Sequence, residues 1–365
     1  MTIKDITNYL ESIAPLAYQE SYDNAGLIVG NASAEVSGVL VTLDSTEEVI
    51  DEAIAKGCNL VIAHHPIVFK GLKKLTGKNY VERTIIKAIK NDVAIYAIHT
   101  NLDSVVGGVN FKIAEKLRLD KVEILAPKSQ ILMKLIVFVP VSNTKEVLDA
   151  LHAAGAGVIG NYSHASFRGE GIGAFRPNEK ATPTIGTANV DEEVHENRVE
   201  VIFPTYLKNQ VLAAMYRSHI YEEVAHDIIL LENQNSEVGA GIIGELANEM
   251  SENDFMAYLK QNMGVTVIRH TKFLGKAIRK VAVCGGAGGF LLGDAILQSA
   301  DIFITADYKY HEFFDADNRI IIADIGHYES EQFTKELLKD YICKKITNFA
   351  VNLSETPTNP INYYY

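Results

Sequence analysis

Short, unbroken apolar runs alternate along this chain with longer stretches whose apolar positions recur every three or four residues. The first pattern marks buried strands and the second marks helices with one apolar face. Their alternation predicts a layered α/β protein with a mostly parallel sheet. "GVLVTLD" (38–44), "NLVIA" (59–63) and "VAIYAIH" (93–99) read as strands, with helices over 45–57 and 79–92 between them. Ser45 with Glu48 makes a capping box for the first helix, and Gly57 closes its end.

The rhythm returns late in the chain. Strands are predicted over 280–284, 301–306 and 319–325, and helices over 293–300 and 330–346. "EAIAKGCNLVIAHH" (52–65) lies without gaps over "DAILQSADIFITAD" (294–307). This match predicts two similar α/β lobes. Between them, from about residue 131, the order β-α-β-β-α-β predicts an inserted ferredoxin-like domain. Residues 1–127 and 236–365 are assigned to one discontinuous α/β domain and 128–235 to the insert. "NQNSEVGAGIIGE" (233–245) reads as the linker back into the main domain, and "SHASFRGEGIGAF" (163–175) as part of a long hairpin.

The chemistry gathers where the apolar runs stop. "NLVIAHHP" ends in His64 and His65, and Pro66 confines His65 to extended backbone. "AIYAIHTNLD" ends in His99 and Asp103. "IFITADYKYHE" ends in Asp307, Lys309, His311 and Glu312, and "IIIADIGHYESE" in His327 and Glu331. The carboxyl ends of parallel strands are the usual place for an α/β site. His327 and Glu331 are four apart at a helix start, so both fall on one face.

His64, His65, Asp103, His327 and Glu331 together are rich for one cation, since a catalytic zinc takes about three protein ligands. Three imidazoles and two carboxylates suit two metals, which together activate water as a hydroxide nucleophile. Mixed N/O ligation without thiolate fits Zn, Fe, Mn, Co or Ni and does not by itself choose among them, with zinc taken as the first to test. His99, Asp307, Lys309 and His311 are candidates for orienting the ligands or moving protons. "CGGAGGFLLGD" (284–294) lacks the spacing of a phosphate loop and reads as a tight turn with exposed amides that suit an anion.

Charge and cysteine content narrow the setting. The net charge of −12 argues against non-specific binding to nucleic acid or anionic membrane. Three scattered cysteines do not form a disulfide framework and fit a reducing cytoplasm. The amphipathic opening lacks the apolar core of a signal peptide, and no apolar run reaches the roughly 18 residues a membrane span needs.

"ESYDNAGLIVG" (20–30), "AHHPIVFKG" (63–71), "HTNLDSVVGGVN" (99–110), "VCGGAGG" (283–289), "ITADYKYHE" (304–312) and "DIGHYESE" (324–331) occur in this order. Together they resemble the GTP cyclohydrolase 1 type 2 homologues, the Ngg-interacting-factor-three-like family, over nearly the whole chain. Tyr22 stands where that family often has Trp, and Ala306 where it often has Gly. The resemblance implies a two-lobed fold with a dinuclear metal centre between the lobes, and it puts the ligands on His64, His65, Asp103, His327 and Glu331. It also implies a PII/CutA-like insert and a ring-shaped homohexamer, a trimer of dimers. The function expected is a two-metal hydrolase acting through a bridging hydroxide on a nucleotide-like or other small substrate. The alternative is a non-enzymatic, metal-dependent assembly whose insert senses an effector or binds a partner.

Overall fold

The computed structural model describes residues 1–346 and 349–364. It divides into two compact units, Met1–Ala126 with the chain from Val238 onward, and Pro127–Glu237.

The larger unit holds two sheets. One runs in the order Gly26–Val29, Ala94–Ala97, Leu60–Ala63, Val39–Thr42, Val351–Leu353. Its last four strands are parallel, and Gly26–Val29 is antiparallel to its neighbour. The other runs Arg269–His270, Ile321–Asp324, Ile302–Ala306, Ile278–Ala287, Asn235–Met250, Asp120–Lys128. Its second, third and fourth strands are parallel, flanked by antiparallel partners. Both sheets thus repeat one plan: an antiparallel edge strand, then the third, second and first of three parallel strands. The first sheet is mostly parallel, as expected, and the second is mixed, so the class is mixed α/β.

Helices cover the parallel strands on both faces, which is why those strands are apolar along their whole length. Every residue of Leu60–Ala63 and of Ile302–Ala306 is buried. Leu40, Val61 and Ile95 pack against Ile50, Ala53, Ile85 and Ala88 in the first lobe. Ala282, Phe303 and Ile322 pack against Leu292, Ala295 and Tyr308 in the second.

Three local expectations are corrected. Thr46, not Ser45, caps the helix Glu47–Ala55: its extended backbone lets Oγ1 accept from Val49 N at 3.3 Å, while Ser45 is buried at the strand end. The expected linker 233–245 lies in the strand Asn235–Met250. Its glycines mark close strand approach, since a side chain on Gly244 would press on Leu119 and Asp120. The helix expected over 330–346 is two helices, His327–Glu331 and Thr334–Lys345. The break falls where the Gln332 amide turns onto the carbonyls of Met263 and Glu329.

The smaller unit is a four-stranded antiparallel sheet, ordered Phe167–Phe175, Glu192–Pro204, Leu132–Pro140, His226–Leu231. Helices Thr144–Ala153 and Lys208–Ser218 bury Val147, Leu151, Val211 and Met215 against Leu135, Val137, Val199, Val201 and Phe203. Among the described residues, no helix is long and apolar enough to cross a membrane.

Candidate metal centre

His64 and His65 continue the parallel pairing beyond Leu60–Ala63. Their amides donate to the carbonyls of Thr42 and Leu43, at 3.3 and 2.9 Å, so both imidazoles emerge at the carboxyl ends of the strands. The next strand ends at Ala97, and a short helix, Thr100–Asp103, follows with His99 at its cap. In the second lobe Ile321–Asp324 is followed by Gly326 at φ 92° and the helix His327–Glu331. That left-handed turn needs glycine.

The side chains converge on Glu331, which is 2% exposed. Its Oε2 lies 2.9 Å from His65 Nε2 and 3.2 Å from His327 Nε2. Its Oε1 lies 3.8 Å from His64 Nε2, which is in turn 3.6 Å from Asp103 Oδ1. His65 Nε2 and His327 Nε2 are 3.3 Å apart. Gly286, at φ 62°, allows this approach: a Cβ there would stand 2.5 Å from Glu331 Oε1.

Each imidazole is oriented by its other nitrogen. His64 Nδ1–H donates to the Ile98 carbonyl at 2.8 Å, leaving Nε2 as the lone-pair atom. Nδ1 of His65 donates to Asp44 at 2.8 Å, that of His327 to Asp307 at 2.7 Å, and that of His99 to Asp23 at 2.8 Å. Four Nδ1 groups anchored outward leave four Nε2 atoms for the interior, the arrangement metal-binding imidazoles need.

The donor set fits divalent cations by a direct test. His64 Nε2 and Asp103 Oδ1 are buried and without a hydrogen-bond partner, yet face each other. Orphaned buried polar atoms are costly, and a cation between them would remove that cost. Three groups lie within metal-sharing reach: His64 with His65 and His99; His65 with His327 and Glu331; and His64 with Asp103 and Glu331.

The electrostatics show how strongly the cluster demands positive charge. Burial opposes ionisation of Glu331, but the imidazoles of His327, His64 and His65 outweigh it and hold its carboxyl below the usual range. Burial also opposes charge on His65, but hydrogen bonds to Asp44 and Glu331 raise its pKa to about 10. The same balance, with Glu331 and Asp307, lifts His327 to about 9. Burial and the nearby Glu331 charge raise Asp103 to about 7.

Of the predicted site residues, His64, His65, His99, Asp103, Asp307, His327 and Glu331 come together. Lys309 and His311 do not. The Lys309 ammonium is exposed and pairs with Glu312 at 3.2 Å, and His311 is exposed against Tyr310. In the turn after Cys284, three of the amides expected to be exposed are engaged within the protein. The Gly285, Gly286 and Gly288 amides donate to Asn110, Ser330 and Thr305. Burial pushes the Cys284 thiol up, which keeps it protonated. Sequence reasoning missed Asp23 and Asp44. Asp44 closes the strand run "GVLVTLD" and carried the same strand-end signal as the residues that were found. Asp23 lies in a loop, and nothing in its spacing ties it to His99. The cluster opens into a cavity of about 470 Å³ with Tyr22, Phe69, Phe290 and Tyr328 on its walls.

Residues 1–360 match the family described as Duf34/NIF3 (NGG1p interacting factor 3). A Bacillus subtilis protein called "GTP cyclohydrolase 1 type 2 homolog" is 40% identical over 99% of this chain and 98% of its own length. A Halalkalibacterium halodurans relative of the same name is 39% identical over 98% of each chain. The crystal structure of a Bacillus cereus protein related to NIF3 superposes with a TM-score of 0.85, at 39% identity, covering 100% of this chain and 99% of that one.

Proposed function

The chain belongs to the Duf34/NIF3 family, and from that premise we propose that it is a two-metal hydrolase of nucleotide-like or other small substrates. The observation that carries the reading is the Glu331 carboxylate. It is buried with one oxygen toward His64 and the other toward His65 and His327. His64, Asp103 and Glu331 would hold one cation, and His65, His327 and Glu331 the other, with zinc the first choice and Fe, Mn, Co or Ni the others. Bound there, the pair would supply Lewis acidity and lower the pKa of water at neutral pH.

The protein's own groups then have distinct tasks. Asp44 and Asp307 keep His65 and His327 turned inward. His99, steadied by Asp23 and 5.3 Å from the rings of His64 and His65, is the group best placed to carry a proton to or from substrate. Tyr22, Phe69, Phe290 and Tyr328 offer flat apolar walls to a ring-bearing substrate. The relatives' shared name points to a C–N bond in a purine-like ring as the bond to test first.

The smaller unit is read as a ferredoxin-like insert of PII/CutA type. Its strand order, with the first strand between the third and fourth, supports that reading. We place the protein in the cytoplasm as a homohexameric ring, a trimer of dimers. A second reading is a metal-dependent assembly whose insert senses an effector. The cavity of about 700 Å³ within the smaller unit, lined by Phe138, Phe175, Ile185 and Glu196, favours it.

Metal analysis and a substrate panel test the two. Close to two divalent ions per chain are expected, and His64→Ala with Glu331→Ala together should remove them. Full retention of metal by the double variant would exclude this site. Turnover of a nucleotide or phosphoester that survives Asp103→Asn would exclude the hydrolase reading. A ligand that raises Tm without turnover would support the sensing one.

A further inference from the structure

We infer that the C-terminal segment completes the metal centre, with Thr358 acting as a positioning residue for His65 through Asp44. The inference rests on the two-metal reading above and names a part of the chain that lies outside the ligand set.

The segment approaches the site along a defined path. Val351–Leu353 adds to the first sheet beside Val39–Thr42, and the Ser354 amide donates to the Val41 carbonyl at 2.8 Å. Glu52, on the helix Glu47–Ala55, then gathers the chain. It accepts from Ser354 Oγ at 2.7 Å, from the Glu355 and Thr356 amides at 2.9 and 3.1 Å, and from Thr356 Oγ1 at 2.6 Å. That anchor alone would hold the chain to the fold.

The residues beyond it do something different. Thr358 Oγ1–H donates to Asp44 Oδ2 at 2.7 Å, and Asp44 Oδ1 accepts from His65 Nδ1–H at 2.8 Å. Next, Asn359 Nδ2 donates to Glu329 Oε1 at 3.0 Å, on the short helix that carries His327 and Glu331. Asn359, Pro360 and Ile361 line the cavity over the cluster. Adjacent residues therefore clasp a carboxylate from each lobe, one of them the partner of a proposed ligand.

A carboxylate bonded at one oxygen can swing about its Cβ–Cγ bond. Bonded at both, it has one orientation. The Thr358 hydroxyl supplies the second bond and so fixes which way the His65 ring points. A ring free to tilt meets the cation less often in line with its lone pair, and affinity falls.

Zinc affinity by chelator competition, together with the visible absorption of the cobalt(II)-loaded protein, tests this. Thr358→Val keeps the shape and removes the donor; Thr358→Ser keeps the donor. The valine variant should bind zinc about tenfold more weakly, with an altered cobalt spectrum, and serine should restore both to within about twofold. A chain ended after Thr356, which keeps the Glu52 anchor, should lose at least as much affinity as Thr358→Val. If the wild type takes up metal and both the valine and shortened chains match it in affinity and spectrum, this inference is overturned alone. A wild type that takes up no metal overturns the two-metal reading and this inference with it.

Discussion

The two lobes of the larger unit share one strand order and differ in what they place at its carboxyl edge. In both, the third parallel strand leads to a short helix with His and an acid four apart: His99 and Asp103 in one, His327 and Glu331 in the other. In both, a carboxylate turns that His inward, Asp23 in the first and Asp307 in the second. The second parallel strands diverge. Where the first lobe has His64 and His65, the matching positions of the second are Ala306 and Asp307. The first lobe thus brings most of the nitrogen donors, and the second brings the buried carboxylate they share. The lobes share a frame, and the different residues at its carboxyl edge make them complementary rather than equivalent.

The comparison can be broken most directly at the two acids. Glu331→Ala should lower metal affinity by more than about 100-fold, since it faces three imidazoles and an orienting group alone is worth about 10–100-fold. Asp103, its counterpart, falls in one of the groups within metal-sharing reach, with His64 and Glu331, whereas Glu331 falls in two, so Asp103→Ala should cost one ion and spare the other. Equal losses in metal analysis would mean that the lobes are interchangeable.

The cores offer the next contrast. Phe303 and Val61 occupy matching positions on the second strands and are both fully buried. Phe303→Ala should destabilise by about 3–5 kcal/mol in urea unfolding. Val61→Ala removes two carbons rather than a six-carbon ring and should cost clearly less. The reverse order would show that the first lobe packs more tightly at this layer.

The orienting acids come third. Asp44→Asn should weaken zinc binding about tenfold or more, because a neutral amide oxygen is a weaker acceptor for the His65 Nδ1–H than a carboxylate and orients the ring less firmly. Asp307→Asn should cost less, since Asp307 is 53% exposed and water competes for His327. Chelator competition on the pair ranks them.

Smallest is a pH effect at the tail anchor, which only the first lobe has. Burial opposes charge on Glu52, but donors from Lys56, Ser354, Thr356 and Glu355 hold its carboxyl far below its ordinary 4.5. A group with a lowered folded pKa stabilises above its unfolded value and loses that contribution as pH falls below it. Glu52→Gln should therefore lower Tm at neutral pH, and the difference should shrink as pH drops beneath 4.5. A difference that grows in acid would contradict the linkage.

Much of this was legible in the chain. Apolar runs with no polar alternation gave the parallel strands, because a strand buried on both faces needs apolar residues throughout. The interruption of those runs by His64, His65, His99, Asp103, His327 and Glu331 gave the residues that come together in the candidate centre. Ionisable groups are seldom left at the edge of a core without partners. Lys309 and His311 shared that signal but belong to a surface turn. One-dimensional proximity to a strand end does not say which way the turn leaves it.

What only the tertiary structure decided is which distant groups meet. Asp44 reaches His65 across 21 residues, and Thr358 reaches Asp44 across 314. Local periodicity records whether a residue faces a core. It holds no record of which partner waits there, because that depends on how the two lobes and the returning tail pack on one another.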